Sequence, residues 1–168
     1  REDLVRMMVG YSLDQYYAKS KRNIGDTILT VRNLTRKDGR VRGAGLSLRK
    51  GEIVGLAGLV GSGRTELIET LFGLAPYTEG QIVLYGQEVK FQTPEQALKH
   101  GICLVPEDRK TEGLILQNHV RFNLSIGVLD QFIGWKWLGV NQQLEMEIAD
   151  TYIDKLSIKI ASQIQQVI

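Results

Sequence analysis

The segment Gly58-Leu59-Val60-Gly61-Ser62-Gly63-Arg64-Thr65 decides how this chain is read. It fits the pattern G-x-x-x-x-G-K-[ST] at every fixed position but one, where Arg64 stands in place of Lys. Glycine adopts left-handed backbone angles at little steric cost, so Gly61 and Gly63 allow successive N–H groups to turn into one concave nest. A helix starting near Arg64 adds its positive end to that nest, and the combination suits a polyphosphate. Thr65 would then offer a hydroxyl to a magnesium ion.

The flanks strengthen this reading. Upstream, Ile53-Val54-Gly55-Leu56-Ala57 is a continuous apolar run of the kind expected for a strand buried on both faces. Downstream, Leu67, Ile68, Leu71 and Phe72 form one helical stripe, with Glu66 and Glu69 outside it and Gly73 ending the turn. Strand, glycine loop and helix in that order point to an α/β fold. On its own the loop leaves open a glycine-rich connection that binds nothing. A dinucleotide fingerprint is disfavoured, because counting from Gly61 and Gly63 would require a third glycine where Glu66 stands. Arg64 changes the expected chemistry: guanidinium is planar and broad, and grips phosphate from a different place than a slim lysine. Weaker or altered binding is expected, with little help at a transferred phosphoryl group.

Further out, Thr27 to Asn33 alternates with period two, and a second strand is expected from Ala44 to Arg49, closing at Lys50-Gly51. Gln81 to Tyr85 and Glu88 to Phe91 flank Gly86 as a hairpin. Thr93 reads as an N-cap, with Pro94 at the first helical position, Gln96 at the capping-box position, and a short helix running to His100 before Gly101. Ile102 to Val105 is a second all-apolar strand candidate, ended by Pro106 and the charged run Glu107-Asp108-Arg109-Lys110. Charges at the carboxyl end of such a strand can line a ligand crevice, or can simply face water. Val120 to Gly127 and Asn141 to Leu156 read as helical, the latter with Leu144, Ile148 and Tyr152 on one stripe. At the start, Glu2 to Val9 reads as a short amphipathic helix, and Tyr11 to Asp26 as a linker from something upstream.

With 168 residues, 43% hydrophobic and 24% charged, the chain has material for one compact domain. Its formal charge of +2 is spread along the sequence, which argues against a nucleic-acid surface. The apolar runs are far shorter than the ~20 residues of a membrane-spanning helix. A single cysteine, Cys103, cannot close an internal disulfide; it fits a reducing cytosol and is expected in the core. With His100 and His119 well separated, no zinc-type ligand set can be assembled.

Three stretches carry a family resemblance: REDLVRMMVG at the start, KGEIVGLAGLVGSGRTELIETLFG around the loop, and VPEDRKTEGL from Val105 to Leu114. Together they resemble the ATP-binding subunits of bacterial sugar ABC importers of the ribose, galactose and xylose type, in which one chain carries two nucleotide-binding domains. The likeness is to the second of these. It implies a partial P-loop, ABC-type nucleotide-binding domain with an antiparallel β subdomain and part of the helical subdomain. Residues 1–26 would then lead in from an upstream domain, 27–117 form the partial ATP-binding core, and 118–168 belong to the helical subdomain.

The resemblance carries Gly58, Gly61, Ser62, Gly63, Arg64, Thr65 and the adjoining Glu66 onto the nucleotide site, and Thr65 and Glu107 onto Mg2+. Glu107 stands where active ABC domains have a glutamine; a carboxylate keeps an oxygen ligand but adds negative charge beside the phosphates of ATP. Tyr11 departs from the arginine common in the family, and Leu34 to Lys37 offers no aromatic to stack on adenine, a place an arginine could take. Trp135 and Trp137 fall in a segment the family places near its transmembrane partner. The family's signature sequence and catalytic glutamate would lie past Ile168, so no residue of this chain is expected to orient an attacking water. The implied role is an ATP-binding component of a carbohydrate importer with a degenerate site, peripheral at the cytoplasmic membrane face. It would work with a permease subunit, a second ATP-binding domain and, indirectly, a sugar-binding protein. The alternative from another class is a structural or interaction module that pairs with an active ATPase domain and a membrane subunit without binding nucleotide. A P-loop kinase is disfavoured, since no lid or acceptor-site pattern is present.

Overall fold

A computed structural model describes residues 23–131 and 141–167 of the chain. The helix expected over 2–9, Tyr11, most of the linker, and Trp135 and Trp137 lie outside the described residues. The chain divides between Leu104 and Val105 into two compact units.

In the first unit the alternating segment forms β1 (Thr27–Arg36), which pairs antiparallel with β2 (Ala44–Arg49) on one side and β3 (Tyr77–Leu84) on the other. With β4 (Gln87–Val89) the sheet order is β2-β1-β3-β4. The period-two pattern does not run cleanly through β1. A register shift between Val31 and Leu34, with Asn33 at φ 50°, brings both Val31 and Leu34 into the core although they are three positions apart. Gly80 of β3 makes room for that irregularity: a Cβ there would stand 2.6 Å from the carbonyl oxygens of Arg32 and Asn33. The hairpin turns on Tyr85 and Gly86, both at positive φ, the twist that suits a two-residue loop between right-twisted strands.

Helix α1 (Arg64–Leu71) follows the glycine loop and lays Leu67 and Leu71 against Val31, Leu34, Val41 and Ile82. Full burial of a side chain such as Leu34 or Ile82 contributes on the order of 1.5–3 kcal/mol. Gly73 sits past the helix end at φ 82°, as its position after the apolar stripe predicts. Helix α2 (Pro94–Lys99) starts at Thr93, whose side chain accepts from the Gln96 amide, while the Gln96 side chain accepts from the amide of Gln92. Its capping interaction therefore reaches one residue further back than the standard box.

Two expected strands are absent. Ile53 to Ala57 and Ile102 to Val105 form no ladder, and Ile53 is 84% and Val105 89% exposed. An isolated extended segment cannot satisfy its own N–H and C=O groups, so a buried strand exists only where a neighbour pairs with it. Among the described residues no strand pairs with either run. Cys103, in the second run, is exposed and not a core residue, for the same reason.

The second unit opens with a single wide, π-helical turn, Arg109–Gly113, and continues with α3 (Val120–Ser125), a 3-10 segment Ile126–Gln131, and α4 (Gln142–Leu156). The face of α4 that packs is not the apolar stripe. Glu145 and Ala149 are buried, whereas Leu144 and Tyr152 are exposed. Ser125 Oγ donates to Glu145 Oε1 at 2.6 Å, and Arg121 Nε lies 3.4 Å from Glu145 Oε2. These polar partners on α3 meet the buried face of α4, and of the apolar stripe only Ile148 is half-buried. No helix among the described residues is long and apolar enough to cross a membrane.

Candidate functional site

The loop before α1 takes the form its glycines dictate. Gly61 lies at φ 81° and Gly63 at φ 85°, both in the left-handed region closed to most side chains, and the Ser62 amide donates to the Leu59 carbonyl at 3.1 Å. Gly63 is the N-cap of α1 and has no side chain, so the N-cap itself makes no side-chain hydrogen bond to the helix start. An N-terminus left in this state attracts an anion, through its N–H groups and through the helix dipole.

The loop is held tightly at some positions and openly at others. A Cβ on Gly58 would stand 2.5 Å from Ser62 Oγ, so the first residue of the loop packs against its middle. The same Cβ would lie 3.6 Å from Arg64 Cδ, showing that the Arg64 side chain folds back across the loop toward Gly58. Gly63 is buried against the turn between β1 and β2, whereas Leu59 and Val60 project into solvent. The loop is therefore backed on one side and open on the other. Gly58, Gly61, Ser62, Gly63, Arg64, Thr65 and Glu66 all come together here, with Thr65 and Glu66 in the first turn of the helix.

The residues present fit a phosphate chain with its magnesium. Mg2+ keeps most of its waters and takes one or two protein oxygens, and the Thr65 hydroxyl has the chemistry to supply one. Among the described residues no three or more His, Cys, Asp or Glu cluster as a metal cage would require.

Glu107 belongs to the second unit, on the exposed stretch leading into the wide turn. The charged run around it is organised by its neighbour. Asp108 Oδ1 accepts from the amides of Lys110 at 2.9 Å and Thr111 at 3.3 Å, capping the turn. Hydrogen bonding, first from the Thr111 side chain and then from the Lys110 and Thr111 amides, holds the Asp108 carboxyl below the usual aspartate range.

Sequence reasoning passed over the turn from Arg36 to Val41. Arg36 is 13% exposed, with Nη1 donating to Glu69 Oε2 at 2.6 Å and Nε 3.0 Å from Asp38 Oδ2. The edge of the Arg36 guanidinium is thus committed to the two carboxylates. No spacing rule could join Arg36 to Glu69 across the intervening strand and loop.

A model of the ABC transporter family matches residues 41–166. The chain belongs to the ABC transporter family. Its relatives include the ribose import ATP-binding protein of Geobacillus kaustophilus, 40% identical over 96% of this chain and 32% of that protein. The xylose import ATP-binding protein of Ralstonia nicotianae is likewise 40% identical, over 95% of this chain and 32% of its own length. This ABC domain thus spans about a third of the length of the curated relatives it matches. Its fold is shared with a crystal structure of a nucleotide-free ATP-binding cassette from an ABC transporter, at TM-score 0.64 and 20% identity, over 79% of this chain and 55% of that one. The architecture is accordingly an α/β ABC cassette, represented in part, with an antiparallel sheet. The loop at residues 58–65 falls inside the matched region.

Proposed function

We propose that this ABC domain is an ATP-binding component of a carbohydrate importer, with a degenerate nucleotide site. One observation carries the reading: a loop with left-handed glycines at 61 and 63 opens directly into the start of α1. In this reading the loop amides and Arg64 hold the phosphates of ATP, and Thr65 meets the accompanying Mg2+. By its sequence position alone, Glu107 is assigned a magnesium-contacting role, as a carboxylate where a carboxamide serves in active domains. Arg64 and Glu107 are the two departures that make the site degenerate.

The names of the relatives favour import of a sugar such as ribose or xylose. The opening sequence and the arginine in the loop favour the second of two ATP-binding domains in one longer protein. That protein would sit at the cytoplasmic face of the membrane with a permease subunit and receive sugar from a binding protein. The exposed apolar run at 53–57 and the exposed Val105 agree with a domain interior completed by strands from elsewhere in such a protein.

Titration of the purified protein with Mg-ATP tests the proposal, together with the Arg64→Lys variant. Binding at millimolar nucleotide or below, tightened in Arg64→Lys, is the expected result. No detectable binding by either protein would leave the non-binding interaction module as the correct reading.

A further inference from the structure

We propose that Arg36 is a positioning residue for the phosphate loop, holding the β1–β2 turn and helix α1 in the one arrangement that shapes the nest. The proposal rests on the ATP-binding reading of that loop.

The contacts form a closed circuit. From Arg36, Nη1 donates to Glu69 Oε2 at 2.6 Å and to the main-chain carbonyl of Glu66 at 3.3 Å, both on α1. From the same guanidinium, Nε pairs with Asp38 Oδ2 at 3.0 Å on the turn. Asp38 in turn accepts from the Arg40 amide at 3.1 Å, and the Arg40 carbonyl is the atom against which Gly63 is packed. Gly63 is the N-cap of α1, where the circuit ends. One largely buried cation therefore fixes both the wall behind the loop and the helix in front of it. The Arg36 amide donates to the Val41 carbonyl, which anchors the side chain's own backbone inside the turn.

Guanidinium is needed because it is a planar fork that can serve Glu69 and Asp38 at once; an ammonium group is a point charge that cannot hold both in that geometry. Loss of the fork frees the turn to move away from Gly63. The amides of residues 61–66 then sample orientations that no longer converge, which weakens a ligand in proportion to the phosphates it places in the nest.

The test compares wild type with Arg36→Met, Arg36→Lys and Glu69→Gln in the purified protein. It uses hydrogen exchange of the 58–66 segment without nucleotide, and affinities for Mg-ATP and AMP. In Arg36→Met, exchange of that segment should rise at least tenfold while the β3–β4 hairpin is unchanged, and Mg-ATP should weaken about tenfold with a smaller loss for AMP. Arg36→Lys should restore part of the affinity. If Arg36→Met fails to fold, Glu69→Gln should show the same pattern at roughly threefold. Unchanged loop exchange, or equal losses for Mg-ATP and AMP, would overturn the proposal. Altered loop exchange in a protein whose wild type binds no Mg-ATP would instead overturn the ATP-binding reading and keep Arg36 as the organiser of the loop.

Discussion

The carbonyl oxygen of Arg40 lies 2.7 Å from the position a Cβ on Gly63 would occupy. This contact, between a turn residue and the first residue of the helix start, makes Gly63 irreplaceable in a way its neighbour Gly61 is not. Both glycines have positive φ, but a Cβ on Gly61 would meet nothing within 4 Å. Gly61→Ala should therefore cost only the left-handed penalty, about 1–2 kcal/mol. Gly63→Ala adds a clash with backbone that cannot swing aside, and should cost clearly more. Urea denaturation of the two variants checks the order, and equal losses would show that the turn yields easily.

The second unit depends on a carboxylate buried among polar partners. Glu145 is 10% and Arg121 17% exposed at their side chains, so removing the acid strands a cation and leaves the Ser125 hydroxyl with only its longer bond to the Phe122 carbonyl. Glu145→Ala should destabilise this unit by about 3–5 kcal/mol, the range for breaking a buried pair from one side. Glu145→Gln keeps an acceptor for Ser125 and should cost about 1–3 kcal/mol, read by thermal or urea unfolding.

Acid should loosen the wide turn after Pro106. The Asp108 carboxyl titrates below its ordinary value because the ionised form accepts hydrogen bonds in the folded turn. Its stabilisation is therefore fully present above the unfolded aspartate value, about 3.9, and is lost as pH falls through the lower folded value. NMR should show the amides of Lys110 and Thr111 moving in that acid range in the wild type, and no such titration in Asp108→Asn.

Much of the first unit could be read directly. Ala44 to Arg49, the turn at Gly86, the stop at Gly73 and the cap at Thr93 each depend on residues within a few positions, where turn chemistry and periodicity act. The apolar runs at 53–57 and 102–105 misled for a physical reason. Hydrophobicity records that a segment can be buried as a strand, but pairing depends on a neighbour that the segment itself does not contain. Helix α4 misled in another way: its stripe of Leu144, Ile148 and Tyr152 is genuine, yet an ion pair and a hydroxyl on α3 drew Glu145 inward.

The glycine loop and the helix after it were determined by sequence alone, because left-handed angles and a glycine at the helix start are properties of a few consecutive residues. The tertiary structure decided what stands behind that loop. Arg36, Asp38 and Arg40 come within reach of Gly63 and Glu69 only after β1 and α1 pack on a shared core. Contacts between residues that far apart in sequence follow from packing, which no local pattern encodes.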